Sequence, residues 1–139
     1  MDNKEISTLI KVNRVLFLLF SSLFFIAVLS QIFLAGLAIF VNPIYWMKHT
    51  TFIHVFGFNI PVLLFLLSYF GKLPQWAYIY VFGLISGVFF MYFTANFTNI
   101  LRWLGALHPI IAVFLVILSF LLVKKTTLFI FQKRSSELI

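Results

Sequence analysis

The chain has no cysteine, which excludes disulfides, thiolate metal sites and covalent c-type haem attachment. It has only three acidic residues, Asp2, Glu5 and Glu137, all close to its ends. Hydrolysis through a carboxylate therefore lacks its groups, and so does ion-coupled transport through an acidic relay. Charged residues of both signs make up 9% of the chain against 63% hydrophobic, where soluble domains carry roughly 25% and 45–50%. So few charges cannot cover a surface that faces water, and an integral membrane protein is expected. Phenylalanine is plentiful instead, with 20 copies, and it suits a lipid-facing surface. The net charge of +7 sits at the ends of apolar runs, which points to anionic lipid and membrane topology and not to nucleic acid.

A spanning helix needs roughly 20 apolar residues. Four runs qualify: about 15–41, 52–70, 76–97 and 103–123. Asn42-Pro43 ends the first, Gly71-Lys72-Leu73-Pro74 turns the second into the third, and Thr98-Asn99 with Arg102 separates the third from the fourth. Such short links force an up-down-up-down bundle, an all-α integral membrane four-helix fold occupying 1–139 as one domain. The first run is too long for a signal's apolar core of about 7–15 residues and is read as retained. Four spans place both termini and the 71–75 turn on one side, with Lys4, Lys11, Arg14, Lys72, Lys124, Lys125, Lys133 and Arg134; the other side has Lys48 and Arg102. The basic side is expected to face the cytoplasm of a multi-pass cell-membrane protein. Residues 124–139 form a basic tail that either continues the fourth helix or lies on the inner surface.

Polar side chains at membrane depth are costly and usually face protein or water. Here they are Gln31, His54, Asn59, Thr94, Asn96 and His108. The topology puts His54 and His108 at similar depth near the outer ends of the second and fourth spans. Lys48 precedes His54 by six residues and Arg102 precedes His108 by six. Gly57 and Gly105 each lie three residues from a histidine and four before a proline, Pro61 or Pro109. A proline ring crowds the carbonyl four residues back, and glycine relieves that crowding and leaves space beside the histidine. Alternatively, Pro109 simply opens the fourth helix.

Two neutral imidazoles on separate helices can grip a haem from both faces, and a four-helix bundle is an ordinary place for such a site. The expectation is one haem b with His54 and His108 as its metal ligands. Lys48 and Arg102 are then candidates for the propionates, and phenylalanines for the dry part of the pocket. The bland alternative is a pair of interfacial histidines bonded to water or carbonyls. His49 is read as a surface histidine, able at most to bond a propionate. Gln31, with Ala35 and Gly36, marks a close-packing face first and a pocket wall second. Gly83 and Gly87 favour close helix approach within the bundle or between chains, the latter giving a homo-oligomer. Trp46, Trp76 and Trp103 read as interface anchors.

The segments QIFLAGLAIF, FIHVFG and ALHPIIAVFLVILSFLL, in that order, resemble a family of small four-span bacterial membrane proteins of unknown function. The plan also resembles one four-helix half of haem A synthase, whose bundle presents histidines from its second and fourth helices near the outer surface. That resemblance implies ligand roles for His54 and His108. The synthase, however, has two such bundles and acidic residues tied to its chemistry. This chain has one bundle and no acidic residue in its spans, so oxidation of a haem substituent is not expected.

The leading expectation is therefore a membrane b-type cytochrome that transfers electrons, or carries or senses haem, with a membrane redox partner. The alternative is a non-catalytic accessory subunit of a larger membrane complex. A transporter, hinted at by the repeated six-residue spacing, lacks an ion-carrying group. An enzyme is not the expected class.

Overall fold

The computed structural model describes residues 7–98 and 100–136. Asp2, Lys4, Glu5, Asn99 and Glu137 lie outside the described residues, as do the side chains of Lys133 and Arg134. Five helices follow one another: α1 Thr8–Phe40, α2 Tyr45–Phe56, α3 Asn59–Phe70, α4 Gln75–Phe97 and α5 Leu104–Ser136. Because α2 and α3 continue one another across a two-residue break, they make four helical spans long and apolar enough to cross a membrane. The result is a four-helix bundle in which α1 packs on α2, α3 and α5, and α4 packs on α3 and α5.

Three boundaries differ from the apolar runs, the first being the start of α1 at Thr8 instead of near Val15. The second span starts at Tyr45 instead of near Phe52. The Asn42 Oδ1 accepts the Ile44 N–H at 2.9 Å, and Tyr45 and Trp46 donate to the carbonyls of Asn42 and Pro43. This turn launches a helix through the polar stretch that hydropathy alone assigns to a loop. At the other end, α5 runs unbroken to Ser136, so the described part of the basic tail continues the fourth helix. Pro109 lies within α5 and does not open it.

The break between α2 and α3 has a covalent cause. Pro61 has no N–H, so the Gly57 carbonyl loses its helical donor. The first segment closes with Gly57 N–H on the Ile53 carbonyl at 2.7 Å, and the second opens with Val62 N–H on Phe58 at 3.0 Å. A Cβ on Gly57 would lie 2.6 Å from the Ile53 carbonyl oxygen, so the tight approach requires glycine. Beyond this break the backbone of α2 packs against α1 and α3 but against neither α4 nor α5, while the His54 side chain reaches α4 at Tyr92. The outer half of the second span thus stands off from two of its three neighbours.

Elsewhere the bundle is tightly filled. Phe17, Phe24, Leu64, Val81, Leu84 and Leu122 are fully buried. Buried Ser21, Ser68, Ser119 and Thr126 each donate to the carbonyl four residues back, which satisfies them within their own helices. At the basic end, Arg14 donates from Nε to the Gly71 carbonyl at 2.9 Å and sits over the Phe129 ring at 5.1 Å. One cation thereby ties α1 to the end of α3 and to α5, where helix carbonyls attract positive charge.

The Gly83 and Gly87 pair is used inside the chain. An added Cβ would come within 2.8 Å of Leu118 and 2.6 Å of Leu115, both on α5. The face read as a possible homo-oligomer contact is occupied by the chain's own fourth span. Gly36, by contrast, has nothing within 4 Å of a built Cβ, so it marks no close-packed face. Gly87→Ala is expected to cost about 1–3 kcal/mol by overpacking against Leu115. A lowered unfolding temperature in detergent, restored by Leu115→Ala in the same chain, checks it.

Candidate functional site

Where α2 stands off, a cavity of about 370 Å³ opens at the end of the bundle opposite Arg14. That is within the range of roughly 300–1,000 Å³ typical of small-molecule sites. Phe24 and Phe56 line its walls, meeting edge to face at 5.8 Å. Its polar groups come from all four spans: Gln31, His49, Thr50, His54, Tyr92, Asn96 and His108. All three histidines of the chain line this one cavity.

Each imidazole is held through Nδ1. His49 Nδ1 lies 3.1 Å from the Gln31 carbonyl oxygen, while the Gln31 side-chain amide donates back to the His49 carbonyl at 3.0 Å. A carbonyl can only accept, so His49 carries its proton on Nδ1 and presents a bare Nε2. His108 Nδ1 lies 3.1 Å from Thr94 Oγ1. The Thr94 hydroxyl also reaches the Phe90 carbonyl at 2.9 Å and Met91 at 3.1 Å. With its proton on a carbonyl, Thr94 accepts from His108 and the group makes two hydrogen bonds; the opposite arrangement makes one and turns an Nε2–H towards apolar walls. The first arrangement leaves Nε2 of His108 bare as well. His54 Nδ1 lies 3.0 Å from the Tyr92 hydroxyl, which can donate or accept. Among the described residues, no hydrogen bond engages Nε2 of any of the three.

The histidines are unequally placed. His49 and His108 are half-buried, and His54 is exposed at the cavity's edge beside Tyr92. His49 on α2 and His108 on α5 line the same cavity. Among the described residues, no three His, Cys, Asp or Glu side chains group closely enough to hold a metal ion. The cavity therefore offers its imidazoles in pairs at most.

His49 was expected on the surface because five helical residues place it about 140° from His54. The structure puts both on the cavity, with Ile53 also on its lining. An angle of that size separates opposite faces on a flat surface but only flanks a concave one. Tyr92 was not anticipated, and Thr94 had no assigned role; both act through histidines on other helices, which sequence spacing does not reveal. Gln31 does line the cavity, and it also braces α2. Its Oε1 is buried and has no hydrogen-bond partner.

Four expected site residues are not brought to the cavity walls. Lys48 lies over the Tyr45 ring at 4.7 Å and borders a shallow groove with Met47 and Thr51, because six residues carry it to another face of α2 than His54. Arg102 is exposed just before α5. A Cβ on Gly57 would meet Ile53, and one on Gly105 would meet Thr98, so neither glycine makes room beside a histidine. His108 on α5 and the histidines of α2 are the residues that would hold a haem, and the largely apolar lining suits its ring. Neither Lys48 nor Arg102 stands on the wall to meet its propionates.

A family of unknown function (DUF6220) is matched over residues 31–99. The matched stretch runs from Gln31 through α4, so it includes His49, His54, Tyr92 and Thr94 and stops short of α5 and His108. No curated protein and no solved structure matches the chain. Nothing in these comparisons connects the chain with haem A synthase.

Proposed function

We propose that this multi-pass membrane protein is a small b-type cytochrome of the cell membrane, with one haem held between the second and fourth spans. His108 is the ligand from α5, and a histidine of α2, His54 in the sequence reading, is the ligand from the other side. One observation carries the proposal: helices whose backbones do not pack together, α2 and α5, both present imidazoles with engaged Nδ1 atoms to the same apolar cavity. Partners on Nδ1 orient an imidazole and raise its basicity as a ligand.

Bound haem would supply one-electron transfer, and two axial imidazoles would leave its iron no open position. The protein's own part is to keep the imidazoles neutral, orient them and exclude water with Phe24 and Phe56. Electron exchange with a membrane redox partner, or carriage of haem, follows from such a site. By the excess of basic residues at the Arg14 end, the cavity lies on the side away from the cytoplasm.

The test is the absorption spectrum of membranes from cells expressing the chain with haem available. Reducible Soret and α bands above those of control membranes are expected. A colourless protein that purifies in mild detergent with a stoichiometric partner would replace this reading with the accessory-subunit one.

A further inference from the structure

We propose that His49, and not His54, is the α2 imidazole that pairs with His108, and that Gln31 is the positioning residue that makes it a ligand. This assignment rests on the haem reading for its occupant and on the following contacts for its geometry.

A ligand imidazole needs a fixed ring, a bare nitrogen and shelter from water. His49 meets all three conditions. Its ring is anchored by Nδ1 on the Gln31 backbone carbonyl, an acceptor that admits one tautomer only. The same glutamine clamps the His49 main chain through its side-chain amide. Gln31 is 7% exposed, and the reciprocal pair locks the outer half of α2 to α1 at the histidine itself. Trp46 closes edge-on against the ring at 5.6 Å. His49 is half-buried and lines the same cavity as His108, which is held in the matching tautomer by Thr94.

His54 meets fewer of these conditions. It is exposed, and its tether is a phenol hydroxyl that fixes neither tautomer. Tyr92 stacks on Phe58 at 5.4 Å, next to the break in the second span. The His54–Tyr92 bond thus bridges α2 and α4, the two helices that do not pack there. That contact is a seam across the cavity's flank and leaves ligation to the sheltered pair.

The experiment compares single variants of the full chain, expressed with haem and purified in mild detergent. His49→Ala is expected to lose the low-spin Soret and α bands, and added imidazole is expected to restore them. His54→Ala is expected to keep both bands. Bands that survive His49→Ala and vanish in His54→Ala would overturn this assignment and leave the haem reading standing. A colourless wild-type chain would remove both. A second measurement needs no haem: nitrogen-15 NMR of histidine-labelled, haem-free protein. It is expected to show His49 protonated on Nδ1 and bare on Nε2, with His54 averaging between tautomers. A His49 protonated on Nε2 would overturn the assignment whatever the colour of the protein, and so would failure of imidazole to restore the bands in a folded His49→Ala chain.

Discussion

His108→Ala is expected to abolish the haem bands while leaving the bundle folded. No other histidine stands on α5, so no neighbour on that wall can replace the lost ligand. Structurally the imidazole is weakly committed. It is half-buried, and its Nδ1 lies 3.1 Å from Thr94 Oγ1. When the ring is removed, the Thr94 hydroxyl keeps its bond to the Phe90 carbonyl, so no buried polar group is orphaned. The stability cost is then that of one ordinary hydrogen bond, roughly 1 kcal/mol. Absorption spectra and unfolding temperatures of wild type and variant, measured in one detergent, separate the two effects. Bands that persist unchanged in the variant would place the cofactor elsewhere.

Ala112→Trp is expected to have a comparable effect on binding and the opposite effect on stability. Ala112 lines the cavity one turn beyond His108, on the same helical face. An indole there fills space that the cofactor needs while leaving every histidine and its partner in the chain. Haem retention is expected to fall at least tenfold. The haem-free chain should hold or gain stability, because apolar atoms replace void. Haem titration of the detergent-solubilised variant, followed at the Soret band, measures the first effect, and thermal unfolding measures the second. A variant that takes up haem like the wild type would show that the ring plane lies outside this cavity.

The bundle itself was legible in the sequence, because hydrocarbon thickness turns run length directly into span count. The breaks at Asn42-Pro43 and Gly71-Pro74 were legible for the same kind of reason, since backbone chemistry at proline and glycine is local. Composition could not show that Tyr45–Thr51 is helical: those residues are too polar to count as part of an apolar run, and a single Asn42 turn starts them. The site was legible in its histidines and in Gln31. Their arrangement was not, because a cavity arises from a helix leaning away. That lean depends on Pro61 together with the absence of packing between α2 and α4, a property of three elements at once. The cations failed as guides because a count of six residues along α2 fixes distance but turns Lys48 to the wrong face. Gly83 and Gly87 were read correctly as an approach motif, and only the three-dimensional neighbours Leu115 and Leu118 reveal whose approach they serve.

Helices α1 and α5 have 33 residues each, about 50 Å of rise, while α4 has 23, about 35 Å. Their cavity-side ends are joined by short links to α2 and α4, so the surplus length gathers at the opposite pole. With about 30 Å of hydrocarbon to cross, roughly 15 Å of paired helix stands beyond the span α4 needs. The surplus of α1 and α5 continues past the ends of α3 and α4, where Arg14 lies over Phe129 and Lys125 over Trp76. Set in a bilayer, that surplus length would fix how far below the opposite surface the histidines come to lie.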